Sequence, residues 1–532
     1  MSNKILEFCM KNGLLVDDSV LELFKDEEDF ESVKIIIEKI KNRTHQNMIT
    51  KNIFYNNPEE LKQVFSEIPE ENQKIVKNLK IKLGLSIEIS HELISKTEKK
   101  CEVKNRIEGV VKILSLNKLN EKKLEVSDFV KHFRNRFNDM KNILQEHSSL
   151  KNLISINKIS GDRNNFSIIG MVTGKSVTKN KNIILDVEDF TGRIKVLINQ
   201  NKKELYSDAE DIALDSVLGF NGSGNSEIFF ANEIVFPESK IPERKYSPNE
   251  EYALFIGDLH FGSKRFLRKG FDKFLDYLDG KVPGTKEEVS KIKYLFLVGD
   301  IVTGVGNYPN QENDLELFDL EEQFLGLSEL LGRIRKDIKI IISPGNHDGV
   351  RLMEPQPALN EKYAWPLYDM ENVILTGNPC NVSIGSDYKT DFKGFNVLTY
   401  HGFSFPYFAG NINSLIQKKA MNCPEEIMKF LLKNRHLSPS HGGTQYYPLE
   451  EDALLIKNVP DIFVSGHTHK CGITYYNNIL VVSVACWEAM TPYQEKFGNK
   501  PDHCKVPMVN LKTRAVKLLD FEDIEESDEK SV

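Results

Sequence analysis

The sequence predicts a multidomain α+β protein in which a helical N-terminal region, a small β-barrel and a larger α/β domain follow one another. Three observations predict this order. Residues 1–95 show apolar residues at helical spacing, residues 151–240 alternate in short strands, and residues 250–522 alternate apolar strands with helical stretches. A chain of 532 residues is also too long for one ordinary core, so several domains are expected.

The bulk composition narrows the class of protein. Hydrophobic residues make up 40% and charged residues 28% of the chain, which is typical of a globular protein. The longest apolar runs are shorter than the ~20 residues that a membrane helix needs. The first residues, MSNKILEFCMKNG, lack the apolar segment and cleavage site of a signal peptide. We therefore expect a cytoplasmic protein.

Cysteine usage and charge exclude two further classes. No Cys-x-x-Cys pair occurs, which favours reduced thiols over a disulfide framework or a thiolate zinc site. The formal net charge of −8 argues against a protein that coats nucleic acid by bulk attraction. Any nucleic-acid contact would need a local patch, a metal site or a partner subunit. The seven cysteines are Cys9, Cys101, Cys380, Cys423, Cys471, Cys486 and Cys504.

The N-terminal part is interpreted as a helical module followed by a linker. Residues 1–95, with stretches such as FESVKIIIEKI, predict a small helical domain that contacts other proteins. Residues 96–150 are rich in Lys, Asn and Glu and end in a predicted helix, DFVKHFRNRFNDMKNIL. Its aromatic residues recur every three or four positions with basic residues between them. This pattern favours an amphipathic helix packed on the next domain over a nucleic-acid-binding helix.

Residues 151–240 change to short alternating strands, including FSIIGMVTGKSVTK and NIILDVEDFTGRIKVLIN. Four or five such strands with one short helical segment, KKELYSDAEDIA, suit a small Greek-key barrel of the OB type. Barrels of this type bind single-stranded nucleic acid or dock other proteins. Few paired aromatic and basic positions occur here, which favours protein docking.

Prolines then mark a linker, at Pro237, Pro242 and Pro248, before the α/β domain of residues 250–522. The last residues, 523–532, are strongly acidic and predict a disordered tail.

Five stretches of the α/β domain carry the chemistry, and each follows an apolar strand. Strand ends on one edge of an open α/β sheet are where such folds bind ligands. Carboxylate, amide and imidazole groups together suit ions such as Mn, Fe or Zn. One such stretch alone is more often a turn with a capping contact, but five of the chain's twelve histidines lie here, which favours a metal site. The stretches are YALFIGDLHFG with Asp258 and His260, KIKYLFLVGDIVTG with Asp300, IKIIISPGNHDGV with Asn346, His347 and Asp348, NVLTYHG with His401, and DIFVSGHTHK with His467 and His469.

The order DLH, GD, GNHD, HG and GHTH over residues 252–470 resembles the calcineurin-like metallophosphoesterase superfamily, whose domain is a four-layer α/β fold. The resemblance implies two divalent ions bridged by Asp300. It also implies that His347 contacts the scissile phosphate without binding metal, with Asp348 as its orienting partner. The implied ligands are Asp258, His260, Asp300 and His469 for one ion, and Asp300, Asn346, His401 and His467 for the other.

Such a site hydrolyses phosphate esters. Two ions about 3.5–4 Å apart clamp phosphate oxygens and lower the pKa of bound water towards ~7. The superfamily includes protein phosphatases, nucleotidases and nucleases, so its motifs alone leave the substrate open.

Three further stretches, GDIVTGVGNYPNQE, RLMEPQPALN and LLKNRHLSPSHGG, are similar to the small subunits of the archaeal D-family DNA polymerases. The resemblance covers roughly residues 100–520. It implies a Mn-dependent 3′–5′ exonuclease that proofreads DNA 3′ ends within a DNA-directed DNA polymerase. It also implies a heterodimer with a large polymerising subunit, and a sliding clamp or primase as further candidate partners.

Two alternatives stay open. The same metal site would serve a phosphomonoesterase acting on proteins or small molecules. An inactive scaffold, like the B-subunits of eukaryotic replicative polymerases, is the other alternative. The complete set of ligand positions favours the active enzyme.

Several residues near these motifs are weighed as substrate contacts. Arg351 and Arg435 are candidates for phosphate contact, with structural salt bridges as an equal alternative. Phe403, Phe405 and Tyr407 follow His401 and could stack a terminal base or pack in the core.

Two positions depart from the family pattern. Thr303 stands where relatives carry Asp or Asn, so local hydrogen bonding is expected to differ. His441 stands where relatives carry an aromatic residue, and a loop histidine is favoured over a substrate contact.

Overall fold

The computed structural model describes residues 2–12, 14–17, 20–21, 30, 33–35, 37–38, 41, 48–49, 111–114, 123–496 and 498–530. The chain divides into two compact units, residues 1–106 and 107–532. In the first unit, helix α1 spans Ser2–Lys11, and the short strands β1 (Leu15–Val16) and β2 (Met48–Ile49) pair in parallel. Most of the predicted helical domain lies outside the described residues, so it stays a prediction.

The second unit begins with strand β3 (Val111–Ile113) and helix α2 (Val126–Gln145), which confirms the predicted helix. The apolar face of α2 is buried at Phe137, Met140 and Leu144. The Phe137 ring lies 4.7 Å from the Phe190 ring, between centroids. The helix therefore packs against the strands that follow it, as the amphipathic pattern predicts.

Residues 163–235 form a closed barrel of five strands. The strand order is β4-β5-β6-β8-β7, and β4 closes the barrel by pairing with both β5 and β7. All pairs are antiparallel except β6 with β8. Alternate side chains point inward, so that Ile168, Leu185, Val196 and Phe220 are fully buried. The elements are β4 (Arg163–Val177), β5 (Ile183–Glu188), β6 (Arg193–Ile198), helix α3 (Lys203–Glu210), β7 (Val217–Gly224) and β8 (Ile228–Val235).

The remaining chain builds two six-stranded sheets that pack face to face. The first has the order β12-β11-β10-β9-β18-β19, and the second has the order β16-β17-β15-β14-β13-β3. The first sheet contains β9 (Tyr252–Ile256), β10 (Ile292–Val298), β11 (Lys339–Ser343), β12 (Val373–Leu375), β18 (Lys505–Asn510) and β19 (Val516–Asp520). The second adds β13 (Cys380–Ile384), β14 (Phe395–Thr399), β15 (Ile462–Ser465), β16 (Gly472–Tyr476) and β17 (Ile479–Ser483) to β3.

Helices cover the outer face of each sheet, which gives the four layers that the sequence predicts. Between the sheets, Phe255 and Phe296 of the first pack with Val397 and Val464 of the second in one buried cluster. The first sheet is covered mainly by α4 (Arg268–Leu278), α5 (Lys286–Ser290), α6 (Leu320–Leu331) and α7 (Glu361–Tyr368). The second is covered by α8 (Phe405–Asn411), α9 (Asn413–Gln417) and α10 (Pro424–Asn434). Two short helices follow, α11 (Pro492–Lys496) and α12 (Ile524–Lys530).

The prediction of a disordered tail over residues 523–532 is wrong for residues 524–530, which form α12. The Glu526 carboxylate is buried and accepts hydrogen bonds from the backbone N–H groups of Lys269 and Gly270, at 2.9 and 3.3 Å. These N–H groups belong to the first turn of α4, where a negative charge is stabilised. The composition is acidic, but one of its carboxylates has a specific partner.

Among the described residues, no helix combines the length and the apolar character needed to cross a membrane.

Candidate metal centre

The carboxyl ends of the central strands of both sheets meet at one edge. In the first sheet, β9, β10 and β11 are parallel and in register, with Phe296 of β10 opposite both Phe255 and Ile341. In the second sheet, β14 and β15 are parallel, with Thr399 opposite Val464. Because parallel strands end at the same edge, the loops after these five strands converge there.

Those loops bring the predicted ligands together. Three groups of side chains have ligand atoms within 4.8 Å of one another. Asp300 belongs to two of these groups, and so does His260. The Asn346 Oδ1 atom joins the cluster at 3.2 Å from His401 Nε2. The three groups are Asp258, His260 and His469; His260, Asp300 and His347; and Asp300, His401 and His467.

His401 shows why this cluster suits a cation. Its Nδ1 lies 3.1 Å from the carbonyl oxygen of Val298, so Nδ1 carries a proton and donates it. Its Nε2 then faces two oxygens, Asp300 Oδ2 at 3.1 Å and Asn346 Oδ1 at 3.2 Å. Burial opposes a charge on the His401 imidazole, but the Asp300 carboxylate outweighs burial and raises the pKa of His401 to about 10. A positive charge, whether proton or metal ion, is therefore stabilised between these atoms.

The imidazoles of His260 and His467 are electrically neutral at neutral pH. Burial, followed by the charge of neighbouring histidines, lowers the pKa of His260 and of His467 to about 3. The Nε2 atoms of His260 and His469 lie 3.1 Å apart. Neutral imidazole nitrogens with carboxylate and amide oxygens form a mixed donor set that Mn, Fe or Zn accepts. The residues present thus fit a divalent metal site.

The carboxylates are equally constrained. Burial raises the pKa of Asp258 well above its usual range, although Asp258 accepts two hydrogen bonds from the His467 N–H, at 3.0 and 3.1 Å. Burial also acts to raise the pKa of Asp300, but the facing His401 and His347 imidazoles hold it well below its usual range. A buried carboxylate of this kind requires compensating positive charge.

The backbone at these positions is left-handed. Asp258, His260, Asp300, His467 and His469 have φ angles between 48° and 71°. Residues with a side chain rarely adopt this conformation, and such strain is concentrated at functional sites.

Two glycines allow the loops to approach one another. A Cβ at Gly345 would lie 2.3 Å from Asp300 Oδ1, and one at Gly299 would lie 2.1 Å from His401 Nδ1. Glycine is therefore required beside these ligands because of close contact as well as turn geometry.

His347 lies at the edge of the cluster and is half-buried. Its backbone N–H donates to Asp300 Oδ1 at 2.7 Å, and its ring lies 4.9 Å from the His260 ring. Its Nδ1 faces the carbonyl oxygen of Thr303 at 2.9 Å.

Asp348 is predicted to orient the His347 ring, but in the structure its carboxylate binds backbone N–H groups. The Asp348 carboxylate accepts hydrogen bonds from the backbone N–H groups of Val302 and Gly345, at 3.0 and 2.7 Å. Burial, with the nearby Asp300 carboxylate, raises the pKa of Asp348 to about 7. Asp348 therefore ties two loops together, and the Thr303 carbonyl is the group that orients the ring.

The aromatic residues after His401 divide into two kinds. The Phe403 ring lies 5.6 Å from the His467 ring and is half-buried at the rim of the cluster. Phe405 is fully buried 6.0 Å from the Tyr400 ring, so it packs in the core. Tyr407 packs on Phe408, with 5.1 Å between ring centroids.

The two arginines predicted to contact phosphate, Arg351 and Arg435, donate hydrogen bonds to backbone carbonyls. Arg351 donates to the carbonyls of Met353 and Pro355, at 3.1 and 2.7 Å. Arg435 donates to the carbonyls of Ile456 and Lys457, at 3.0 and 2.5 Å. These bonds give both side chains a structural role, and phosphate contact stays a prediction.

His441 is exposed, and its Nδ1 lies 2.8 Å from the Tyr446 hydroxyl, as suits a loop histidine.

Two contacts at the cluster have no counterpart in the sequence patterns. One is the Thr303 carbonyl, since a backbone oxygen leaves no signature in the residue type. The other is Gln494 in α11, whose Nε2 lies 2.7 Å from His469 Nδ1. Gln494 occurs in PYQEK, which matches none of the metal-site motifs.

Comparison with known proteins identifies the domain and the family. Residues 253–471 match the calcineurin-like phosphoesterase family, which implies divalent metal ions. Three relatives are DNA polymerase II small subunits. That of Pyrococcus abyssi is 36% identical over 411 residues, which cover 75% of this chain and 64% of the relative. That of Methanothermobacter thermautotrophicus is 35% identical over 401 residues, which cover 75% and 80%. That of Pyrococcus horikoshii is 34% identical over 471 residues, which cover 86% and 73%.

The match spans slightly less than two thirds of the Pyrococcus abyssi protein. It nevertheless confirms the resemblance drawn from the sequence motifs. The chain belongs to the family of archaeal DNA polymerase II small subunits and contains a calcineurin-like phosphoesterase domain.

Proposed function

We propose that this chain is the proofreading subunit of a DNA polymerase, a 3′–5′ exonuclease that uses two divalent ions, Mn²⁺ in particular. The observation that carries the proposal is the position of Asp300, which contributes to two groups of ligand atoms at one sheet edge. A carboxylate shared in this way suits a pair of ions held a few ångströms apart, as in phosphodiester-cleaving enzymes.

The distances support a set of ligands for each ion. Asp258, His260 and His469 would hold one ion, since His469 Nε2 lies 3.6 Å from Asp258 Oδ1, and Asp300 would join them through its group with His260. Asn346, His401 and His467 would hold the second ion with Asp300. His347 is left as the half-buried histidine of the cluster, available to a substrate.

The chain's own groups would then divide the work of hydrolysis. Bound divalent ions would lower the pKa of attacking water and neutralise charge on the phosphate. The Nδ1–H group of His347 is used by the Thr303 carbonyl, so a second proton, carried on Nε2 of the imidazolium form, would be the one given to the leaving 3′ oxygen. Phe403 at the rim, beside His467, offers a surface on which a terminal base could stack.

The partner and the barrel are part of the same proposal. The relatives are named as small subunits, so we infer a heterodimer with a large polymerising subunit. The strand order of the barrel, with a helix between its third and fourth strands, supports the expected OB type. Helix α2 is locked onto the same body by Arg136, whose Nη1 donates to the Pro439 carbonyl at 2.9 Å. We propose that the barrel docks the large subunit, because its exposed strand positions offer few aromatic and basic pairs.

The test of function uses the full chain with Mn²⁺ and a 5′-labelled primer that carries a mismatched 3′ end. We expect release of mononucleotides, and loss of that release in His347→Ala with Mn²⁺ binding unchanged. His147→Ala is the matched control, since this histidine lies at the end of α2 outside the cluster. Wild-type release by His347→Ala would contradict the assigned role.

The same assay separates the two alternatives. Hydrolysis of a phosphoserine peptide without any DNA cleavage would favour a phosphomonoesterase. Inactivity on both substrates, with no bound metal in the folded chain, would favour a scaffold.

A further inference from the structure

The loop that follows β10 holds the His347 ring, and two buried amides hold that loop. We propose that Gln311 and Gln323 are positioning residues for His347, acting through the backbone of Thr303 and Gly304. The inference rests on the proposed function, because it concerns how His347 would deliver its proton.

The Thr303 carbonyl orients the ring of His347. His347 Nδ1 lies 2.9 Å from the Thr303 carbonyl oxygen, which can only accept a hydrogen bond. The contact therefore sets one proton on Nδ1 and leaves Nε2 as the nitrogen that faces a substrate, where the second proton of the imidazolium form would be the one transferred. A rotation of this carbonyl away from the ring would free both the ring orientation and the tautomer.

Hydrogen bonds from other side chains hold the Thr303 carbonyl itself in position. Besides His347, the Thr303 oxygen receives the Gln311 Nε2 group at 3.0 Å and the Asn307 Nδ2 group at 3.0 Å. Three donors thus converge on one oxygen that has two lone pairs. Asn307 is also next to the ring, with its Nδ2 3.2 Å from His347 Nδ1.

Two buried side-chain amides, those of Gln311 and Gln323, hold the backbone of this loop. Gln311 and Gln323 are 1% and 0% exposed, which is unusual for glutamine. Gln323 accepts from the Gly304 N–H at 2.9 Å and donates to the carbonyls of Gly304 and Leu317, at 3.2 and 2.8 Å. Gln311 accepts from the Asn307 N–H at 2.8 Å and donates to both the Thr303 and Gly304 carbonyls. Both amides therefore satisfy their oxygen and both N–H groups within the backbone around one loop.

The loop also packs closely against the backbone of His347. A Cβ at Gly304, where φ is +68°, would lie 2.1 Å from the His347 carbonyl oxygen. On the other side, Asp348 ties Val302 to Gly345. The loop after β10 is therefore fixed at Val302 by the Asp348 carboxylate and at Thr303 and Gly304 by the two amides, and His347 contacts it from the loop after β11. Displacement of Thr303 should alter the ring, while the bond from the Val302 N–H to Asp348 should hold the part of this loop that carries Asp300 in place.

A misplaced proton donor has a specific kinetic effect. Protonation matters when the leaving group is a poor one, such as the 3′ oxygen of DNA or a methoxide. It matters little when p-nitrophenolate leaves, because this anion needs no proton. The loss of rate caused by a misplaced His347 should therefore depend on the leaving group. Displacement of the metal ligands should instead slow the hydrolysis of all substrates alike.

The experiment compares the p-nitrophenyl and methyl esters of thymidine 5′-phosphate, and DNA, with the full chain in Mn²⁺. Gln311→Met conserves volume and removes the amide. Gln323→Met is the second variant, because it removes the amide that holds Gly304 and leaves Gln311 in place. We expect kcat to fall about 10-fold or more on the methyl ester and DNA, and to stay within about 3-fold on the p-nitrophenyl ester. Asn372→Leu is the control, since Asn372 is a buried amide that bonds Ile338 at the opposite ends of the strands.

Two readouts separate positioning from a general structural effect. The double variant Gln311→Met/His347→Ala should be no slower than His347→Ala, because both changes remove one function. Hydrogen exchange followed by mass spectrometry should rise in the peptide that contains residues 303–307, with Mn²⁺ content unchanged.

An equal fall on all three substrates, a further loss in the double variant, or unchanged exchange in this loop would overturn the proposal. Failure of the proposed nuclease function looks different: the wild-type chain would cleave the small esters and release nothing from DNA. The comparison of the two esters would then still decide the role of Gln311. A wild-type chain inert on every substrate would overturn both.

Discussion

The Nε2 atoms of His260 and His469 lie 3.1 Å apart, although 209 residues separate them in the chain. Neither imidazole gains a charge at neutral pH, because burial lowers the pKa of both. Two neutral nitrogens at this distance, beside the carboxylate of Asp258, form part of a site for a cation.

Binding of Mn²⁺ should stabilise the fold. A ligand that binds only the folded state stabilises it by about 2.7 kcal/mol at a hundredfold excess over its Kd. We expect the unfolding temperature of the metal-stripped full chain to rise when Mn²⁺ is added. Asp300→Asn should lose most of this rise, since Asp300 belongs to two ligand groups. An undiminished rise in that variant would contradict the bridging role of Asp300.

Gly345→Ala should abolish phosphodiesterase activity and weaken Mn²⁺ binding. Its new Cβ would lie 2.3 Å from Asp300 Oδ1 and 2.4 Å from the Asp300 backbone nitrogen. Gly410→Ala is the matched control, because a Cβ there meets no atom within 4 Å and the residue lies in α8. The control should keep full activity and gain up to about 1 kcal/mol in the free energy of unfolding. Activity assays and calorimetric Mn²⁺ titration of both variants make the comparison.

The motifs at strand ends made the group of candidate metal-binding side chains predictable. Asp258, Asp300 and His467 each follow an apolar strand and a glycine, so sequence spacing carries their role. The Thr303 carbonyl was not predictable, because a backbone oxygen is independent of residue type. Gln311 and Gln323 are equally unmarked, since an amide in a loop or helix is usually exposed.

Contacts between distant parts of the chain also could not be predicted from the sequence. The amphipathic pattern of α2 predicted that it packs, but its buried ion pair between Arg136 and Asp452 joins residues 316 positions apart. Likewise, the acidic composition of residues 523–532 predicted disorder because the partner of Glu526, the first turn of α4, cannot be read from local composition.

Acid should destabilise the chain through His436. Burial, followed by the Arg136 cation, lowers the pKa of His436 from 6.5 to about 4. Its Nε2 lies 3.0 Å from Asp452 Oδ2, and its Nδ1 accepts from the Ser438 N–H at 2.9 Å, so the folded ring has no free lone pair for a second proton. The unfolded chain binds that proton below about pH 6.5, so stability is full above this pH and falls as pH drops towards 4.

The expected loss at pH 5 is on the order of 2 kcal/mol for this one histidine. Denaturant titrations at pH 7.5 and pH 5 would measure it as a difference between wild type and His436→Asn. We expect a smaller pH-dependent loss in His436→Asn, which cannot titrate. Equal losses in the two proteins would show that His436 does not set the acid response.

Helix α12 should contribute to stability through one carboxylate. Glu526→Ala leaves the N–H groups of Lys269 and Gly270 without this acceptor, and should cost roughly 1–2 kcal/mol. Glu525→Ala is the control at an exposed position of the same helix, with an expected change within about 0.5 kcal/mol. Equilibrium unfolding of both variants gives the comparison, and equal effects would mean that α12 contributes nothing specific.

The central claim is that Asp300 bridges two cations at the meeting edge of the two sheets. Anomalous diffraction at the manganese edge, from crystals of the full chain grown with Mn²⁺, tests it most directly. We expect two peaks about 3.5–4 Å apart, with Asp300 between them. A map with a single peak, or with peaks away from Asp258, Asp300 and His467, would contradict the account.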